Sequence, residues 1–260
     1  MRTLLTTALL LSLCARPSRF VPMLAAAAAP NKQTDVVRTS RGELRLTPLY
    51  HGSVMLEFGG KVIHDDPWSQ VDYTGLPPAD VIVMTHTHID HLDRSMVDKL
   101  KKPATVIVGP PAVIDTLNCA PACSEVEAIS DSERKTVMDV GFEGVPMYNV
   151  VYGSAAGKPF HHKGVGSGYI LTFGDTRVYF SGDTECTPEM KALKNVTIAF
   201  LAMSPPRTMS TLDAAACATA FRPSIVYPYH YRNSKPEEFA AAVKGVASIE
   251  VRLRKLEGEP

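Results

Sequence analysis

The chain has 260 residues, 45% of them hydrophobic, with 27 basic and 27 acidic side chains. That length and apolar content suffice for one well-filled core. A formal net charge of zero excludes the basic excess that a nucleic-acid footprint needs, and neither an internal repeat nor a long Pro- or Gly-rich linker divides the chain.

The N-terminus differs from the rest. Arg2 precedes the apolar run Leu4 to Ala15, Met23 to Pro30 holds five consecutive alanines, and no acidic residue occurs before Asp35. Residues 1–29 are expected to be a signal peptide with cleavage near Ala27 to Ala29, so the protein is expected to be exported, periplasmic or secreted. Arg16 and Arg19 interrupt the apolar segment and leave a mitochondrial presequence as the alternative. The first apolar run is shorter than the ~20 residues of a membrane span. No later run is long enough, so no span is expected after removal of the leader. Cys119, Cys123, Cys186 and Cys217 would remain. Cys119 and Cys123 share a short Pro-containing loop and could pair in an oxidising compartment, but four cysteines allow three pairings and the sequence does not choose.

From Gly42 the pattern is rich in strands. Glu43 to Tyr50, Ser53 to Phe58 and Lys61 to His64 read as short strands, with Gly59-Gly60 as a hairpin turn. Val81 to Thr85 is the next. Asp93 fits the N-cap of a helix running through Lys101 and ended by Pro103. Ala104 to Gly109 reads as a strand, Pro111 to Leu117 as a short helix, and Lys135 to Val140 and Phe142 to Tyr152 as strands. Gly168 to Phe173 and Arg177 to Ser181 form a second hairpin around Gly174-Asp175. Val196 to Met203 is a buried strand. Leu212 to Phe221 is helical, Ser224 to Tyr229 a strand, Pro236 to Val246 a helix and Ser248 to Leu253 the last strand. Strands precede helices in each half, which predicts an α+β domain of two packed sheets with helices outside.

The densest chemistry lies in Thr85-His86-Thr87-His88-Ile89-Asp90-His91. Three imidazoles and a carboxylate follow an apolar strand, Val81-Ile82-Val83-Met84, and these are the usual ligands of zinc and its neighbours. Three weaker features accompany it: Phe160-His161-His162-Lys163, Ser181-Gly182-Asp183-Thr184 after an apolar strand, and His230 after Ile225 to Tyr229. Alone, a strand-end His is an ordinary polar residue and an Asp in a Gly-Asp-Thr turn is a turn former. Gly182 permits the sharp turn that presents Asp183.

In this order, His86-Thr-His88-Ile-Asp90-His91, a later His, Gly-Asp183-Thr and His230 resemble the metallo-β-lactamase fold superfamily of metal-dependent hydrolases. The likeness spans about Glu43 to the C-terminus. Tyr50-His51-Gly-Ser-Val, Asp66-Pro67-Trp68, Gly168-Tyr-Ile-Leu and Tyr179-Phe-Ser-Gly-Asp-Thr narrow it to the branch containing the ascorbate-6-phosphate lactonase-like proteins and the N-acyl-phosphatidylethanolamine phospholipase D. The resemblance implies a single αββα sandwich over residues 40–258. It implies that His86, His88 and His161 hold one divalent metal, that Asp90, His91 and His230 hold a second, and that Asp183 bridges both. His161 aligns with the family's histidine, and His162 replaces a proline. Zinc suits these ligands, and manganese or iron also accepts them. Asp90 and Asp183 are the expected catalytic carboxylates, offsetting metal charge and fixing the spacing around a bridging hydroxide. The family's true β-lactamases lack the bridging aspartate, so Asp183 argues against antibiotic hydrolysis.

The expected substrate is a small molecule with an ester-like bond, a lactone or a phosphodiester. His51, Lys163, Arg207 and Tyr231 are candidates for contact with it: His51 precedes a strand, Lys163 and Arg207 offer positive charge beside strand ends, and Tyr231 offers a proton. Asp66 is a candidate carboxylate support for the ligands. Two other readings stay open, a di-iron redox protein and a metal-binding module without turnover.

Overall fold

The computed structural model describes residues 32–118, 123 and 125–256. The expected leader and Cys119 lie outside them. Two seven-stranded sheets form the frame. The first runs in chain order through β1 (Asp35–Thr39), β2 (Gly42–Tyr50), β3 (Ser53–Phe58), β4 (Lys61–Asp65), β5 (Ala79–Val83), β6 (Lys101–Gly109) and β7 (Glu125–Ala128). Between β5 and β6 lies α1 (Arg94–Leu100), and between β6 and β7 lies α2 (Pro111–Leu117). Next come β8 (Arg134–Val137), β9 (Val140–Met147), a two-stranded ribbon of β10 (Gly153–Ala155) and β11 (Lys158–Pro159), then β12 (Gly166–Phe173) and β13 (Thr176–Phe180). The chain closes with α3 (Pro188–Lys191), β14 (Ile198–Ala202), α4 (Thr211–Phe221), β15 (Ile225–Tyr229), α5 (Pro236–Val243) and β16 (Glu250–Val251). The second sheet has the order β16-β15-β14-β13-β12-β9-β8.

Each sheet joins an antiparallel meander to parallel strands. β1 to β4 pair antiparallel, and β4 to β7 parallel. Likewise β8, β9, β12 and β13 are antiparallel, whereas β13 to β16 are parallel. The parallel parts read as unbroken apolar runs because both faces are covered. In β5, Val81 and Val83 enter the core between the sheets, and Ile82 enters a second cluster with Met96, Val97 and Leu100 of α1. The inter-sheet core closes on Phe58 against Phe173, edge to face at 5.1 Å, and on the stacked rings of Phe180, Phe200 and Tyr227. These layers are the expected αββα sandwich.

Asp93 caps α1 as its sequence suggests, accepting from the Ser95 amide at 3.0 Å. Ser210 and Asp213 form a reciprocal capping box on α4. Four strands and α3 were not expected: β1, β7, β10 and β11 are short or carry little apolar alternation, and α3 spans a single turn; β6, expected from Ala104, begins at Lys101, ahead of Pro103. The apparent strand Lys135 to Val140 breaks at Met138 and Asp139, both at positive φ, which turn β8 into β9. Cys186 and Cys217 form a disulfide across 31 residues. No helix among the described residues is long and apolar enough to cross a membrane.

Candidate metal centre

The parallel strands bring the candidate residues together. Asp66 follows β4, His86 to His91 follow β5, Asp183 follows β13 and His230 follows β15, all beyond the carboxyl ends of strands. His161 comes from the turn between β11 and β12, and His51 from the turn between β2 and β3. An open α/β edge is where a sheet presents loops to a ligand.

Two groups of ligand atoms result, each contained within 4.8 Å: His86, His88, His161 and Asp183, and His51, Asp90, His91 and His230. In the first, His88 Nδ1 lies 3.0 Å from His86 Nε2 and 3.2 Å from His161 Nε2. Ligands at zinc–nitrogen distance on a tetrahedron are about 3.3–3.4 Å apart. Asp183 faces both groups. Its Oδ1 is 3.4 Å from His91 Nε2 and 3.3 Å from His230 Nε2, and its Oδ2 is 3.6 Å from His161 Nε2 and 4.0 Å from His86 Nε2. His162 is exposed and His161 buried, so of the two it is His161 that joins the cluster.

The rear nitrogens of His91 and His86 are anchored. His91 Nδ1 donates to Asp66 Oδ2 at 2.7 Å. Asp66 also accepts from the Thr85 amide and hydroxyl, at 2.7 and 2.6 Å. With its proton given to Asp66, the Thr85 hydroxyl accepts from His86 Nδ1 at 3.1 Å. Both rings thus carry their Nδ1 proton away from the centre and turn Nε2 inward. Gly52 makes room here: a Cβ on it would stand 3.1 Å from His91 Cε1. Gly182 takes φ +57°, and a Cβ there would meet Met147 Sδ at 2.6 Å, so the turn before Asp183 needs glycine on both counts.

The residues fit divalent ions. His91 Nε2, His230 Nε2 and Asp183 Oδ1 are buried without a hydrogen-bond partner, an arrangement that costs free energy unless something fills it. Burial lowers His161 to about 4 and His230 to about 3, and holds His86 well below its ordinary value. Neutral imidazole is the ligating form. Burial alone would raise Asp183, but His230, His91, His86 and His161 overcome it and keep the carboxyl ionised. For His91, burial works downward, while Asp183, Asp66 and Asp90 lift it to about 10.

The remaining candidates separate. His51 is buried, its Nε2 lies 3.2 Å from Asp90 Oδ2, and its ring centroid lies 3.5 Å from that of His230. It stands at ligand distance, closer to the second group than a substrate contact requires. Arg207 is exposed over the Phe160 ring at 5.2 Å, and its charge helps to lower His88 and His161. Lys163 is engaged by Glu189 and lies over the Tyr148 ring at 4.8 Å. Tyr231 is buried within the apolar core cluster. Sequence reasoning missed Arg232, which donates to Asp90 Oδ2 at 3.1 Å. It also missed Asn149 and Glu185, which reach the His161 side. None of these three sits in a pattern that marks it.

A family model described as a beta-lactamase superfamily domain matches residues 45–230. A metal-dependent hydrolase of Aeropyrum pernix is 30% identical over 217 residues, covering 77% of this chain and 89% of the relative. The chain therefore belongs to the beta-lactamase superfamily of metal-dependent hydrolases. A crystal structure from Parabacteroides distasonis, provisionally named a metal-dependent hydrolase, is 38% identical with a TM-score of 0.79, over 87% of this chain and all of that one. A metallo hydrolase of Ignicoccus hospitalis shares the fold at TM-score 0.68 and 22% identity, over 82% of this chain and 95% of that one.

Proposed function

We propose that this chain hydrolyses an ester-like bond, a lactone or a phosphodiester, in a small molecule at a centre of two divalent ions, with zinc the best match to the ligand chemistry. The observation that carries the reading is Asp183, whose two carboxylate oxygens each face a separate set of histidines. When bound, two such ions supply Lewis acidity for the scissile group and make water nucleophilic at neutral pH.

The chain's own groups have distinct tasks. His86, His88 and His161 would hold one ion, and Asp90, His91 and His230 the other, with His51 beside Asp90 as either a further ligand or a substrate contact. Asp66 and Thr85 keep the ring protons of His91 and His86 away from the centre. Arg232 balances Asp90 and fixes its direction. Arg207 stands at the rim with a guanidinium that can meet an anionic substrate group, whereas the Lys163 charge is already met by Glu189. Asp183, as an additional bridging carboxylate, supports a substrate other than a β-lactam. The Cys186–Cys217 disulfide supports an oxidising, exported setting.

The test is metal content per chain, by plasma mass spectrometry, followed by turnover with activated lactones and phosphodiesters. Close to two ions and hydrolysis of either class supports the reading. One ion or none, or full occupancy with no turnover of either class, removes it.

A further inference from the structure

We propose that Asn149 is a positioning residue that fixes the ring proton of His161 on Nδ1, leaving Nε2 bare on the ion-facing side, and that Glu185 locks Asn149 in this orientation. The inference rests on the metal-centre reading above.

Asn149 follows β9 by two residues, in a turn rather than a strand. Its Oδ1 accepts two N–H groups of the same residue, the His161 amide at 2.8 Å and His161 Nδ1 at 2.8 Å. Its Nδ2 donates in the opposite direction, to Glu185 Oε1 at 3.1 Å and to the Arg207 carbonyl at 2.8 Å. All four side-chain hydrogen-bonding positions point at complementary partners. Turning the amide over would set its NH2 against a backbone N–H and its oxygen against a carboxylate and a carbonyl. The neighbours therefore fix which end is oxygen. An oxygen at Nδ1 requires the proton there, so His161 Nε2 has a free lone pair, directed toward His88 Nδ1 and Asp183 Oδ2.

Glu185 is itself committed. Its carboxylate accepts from the amides of Val151 at 3.0 Å and Tyr152 at 2.6 Å as well as from Asn149. Its own amide donates to the Tyr148 carbonyl at 3.1 Å. It lies two residues beyond Asp183 and next to Cys186, which is tied to α4 by the disulfide. The 148–152 turn is thus clamped to the segment carrying the bridging carboxylate, and one amide side chain joins that segment to His161. An asparagine that merely closed a turn would not need its oxygen on an imidazole nitrogen.

The test is the tautomer of His161 in the metal-free protein, read by two-bond 15N–1H correlation, beside zinc affinity by chelator competition. Wild type should show the Nδ1–H form. Asn149→Ala should admit the Nε2–H form and weaken zinc binding at one position by about 10–100-fold, with His91 unchanged. Asn149→Asp keeps the oxygen on Nδ1 but loses both donors to Glu185 and the Arg207 carbonyl, so it should retain the Nδ1–H form with a zinc affinity between those of wild type and Asn149→Ala. An unaltered tautomer and affinity in Asn149→Ala would overturn the proposal. Should that variant not fold, the wild-type spectrum decides: an Nε2–H His161 overturns it as well. A wild type with Nδ1–H His161 that binds no zinc would support the positioning and count against the hydrolase reading alone.

Discussion

The two halves of the candidate metal centre are built from different chemistry. Around His86, His88 and His161 the candidate ligands are imidazoles whose burial disfavours the charged form, with the Thr85 hydroxyl behind His86 and the Asn149 amide behind His161. Around Asp90, His91 and His230 the supports are charged: Asp66 behind His91, and Arg232 against Asp90. The first half is ready to ligate as it stands. The second holds a proton on His91 until an ion displaces it. Ion binding there should therefore release protons and depend more steeply on pH.

The largest effect should come from the one residue both halves share. Asp183→Ala should drop metal content from about two ions to one or fewer and cut turnover by about 10³-fold, the rate equivalent of several kcal/mol of charge stabilisation. Retention of two ions, measured by mass spectrometry, would show that the halves are independent.

Asp66→Asn should sharpen the contrast. It removes the carboxylate behind His91 and should weaken ion binding in the second half by about 10–100-fold. The first half, which touches Asp66 only through Thr85, should change less, and chelator competition reads the two affinities. Equal weakening of both would mean that the hydroxyl of Thr85 transmits as much as the carboxylate itself.

Stability of the fold around the centre tests a third link. Cys186→Ser with Cys217→Ser opens a 31-residue loop, and closing a loop of that size is worth about 3–4 kcal/mol on the chain-entropy account. Calorimetry should show a lower Tm, with metal loading reduced because the disulfide anchors the segment after Asp183.

The pH dependence of the metal-free protein follows from the shifted groups. Below about pH 6.5, unfolded histidines take up protons that His86, His88, His161 and His230 refuse in the native state. Acid is therefore destabilising, and the lowered carboxyls of Asp90 and Asp183 extend the loss as they protonate. His91 acts in the other direction. Its contribution is full below 6.5 and disappears as the pH climbs through about 10. Chelator-treated protein should be most stable near pH 6.5, whereas ion-loaded protein should stay stable to higher pH because ligation takes His91 unprotonated. A flat Tm from pH 5 to 9 in the metal-free state would contradict this account.

The smallest effect should be at the rim. Arg207→Ala should raise KM about tenfold for anionic substrates, the range of one charge-assisted hydrogen bond, with kcat and neutral substrates little changed. An equal shift for both substrate types would remove Arg207 from recognition.

The sequence by itself determined the sandwich and singled out most of the residues that gather at the candidate centre. Continuous apolar runs such as Val81 to Val83 and Ile198 to Ala202 mark parallel strands covered on both faces, and chemistry placed where such runs stop must lie at a sheet edge. A candidate ligand within a dense local run, such as His86 or His91, is legible because its neighbours carry the same chemistry. Short strands with few apolar residues, β7, β10 and β11, left no such trace. Only the tertiary structure decided what crosses long separations. It put His161 and not His162 in the cluster, gave Asp183 one oxygen for each group, brought His51 to ligand distance, and set Arg232 on Asp90 across 142 positions. It also paired Cys186 with Cys217 and assembled the Glu185–Asn149–His161 relay. The physical reason is that a hydrogen bond or a ligand field depends on direction and on tenths of an ångström, whereas hydrophobic patterning records only which face of an element is buried.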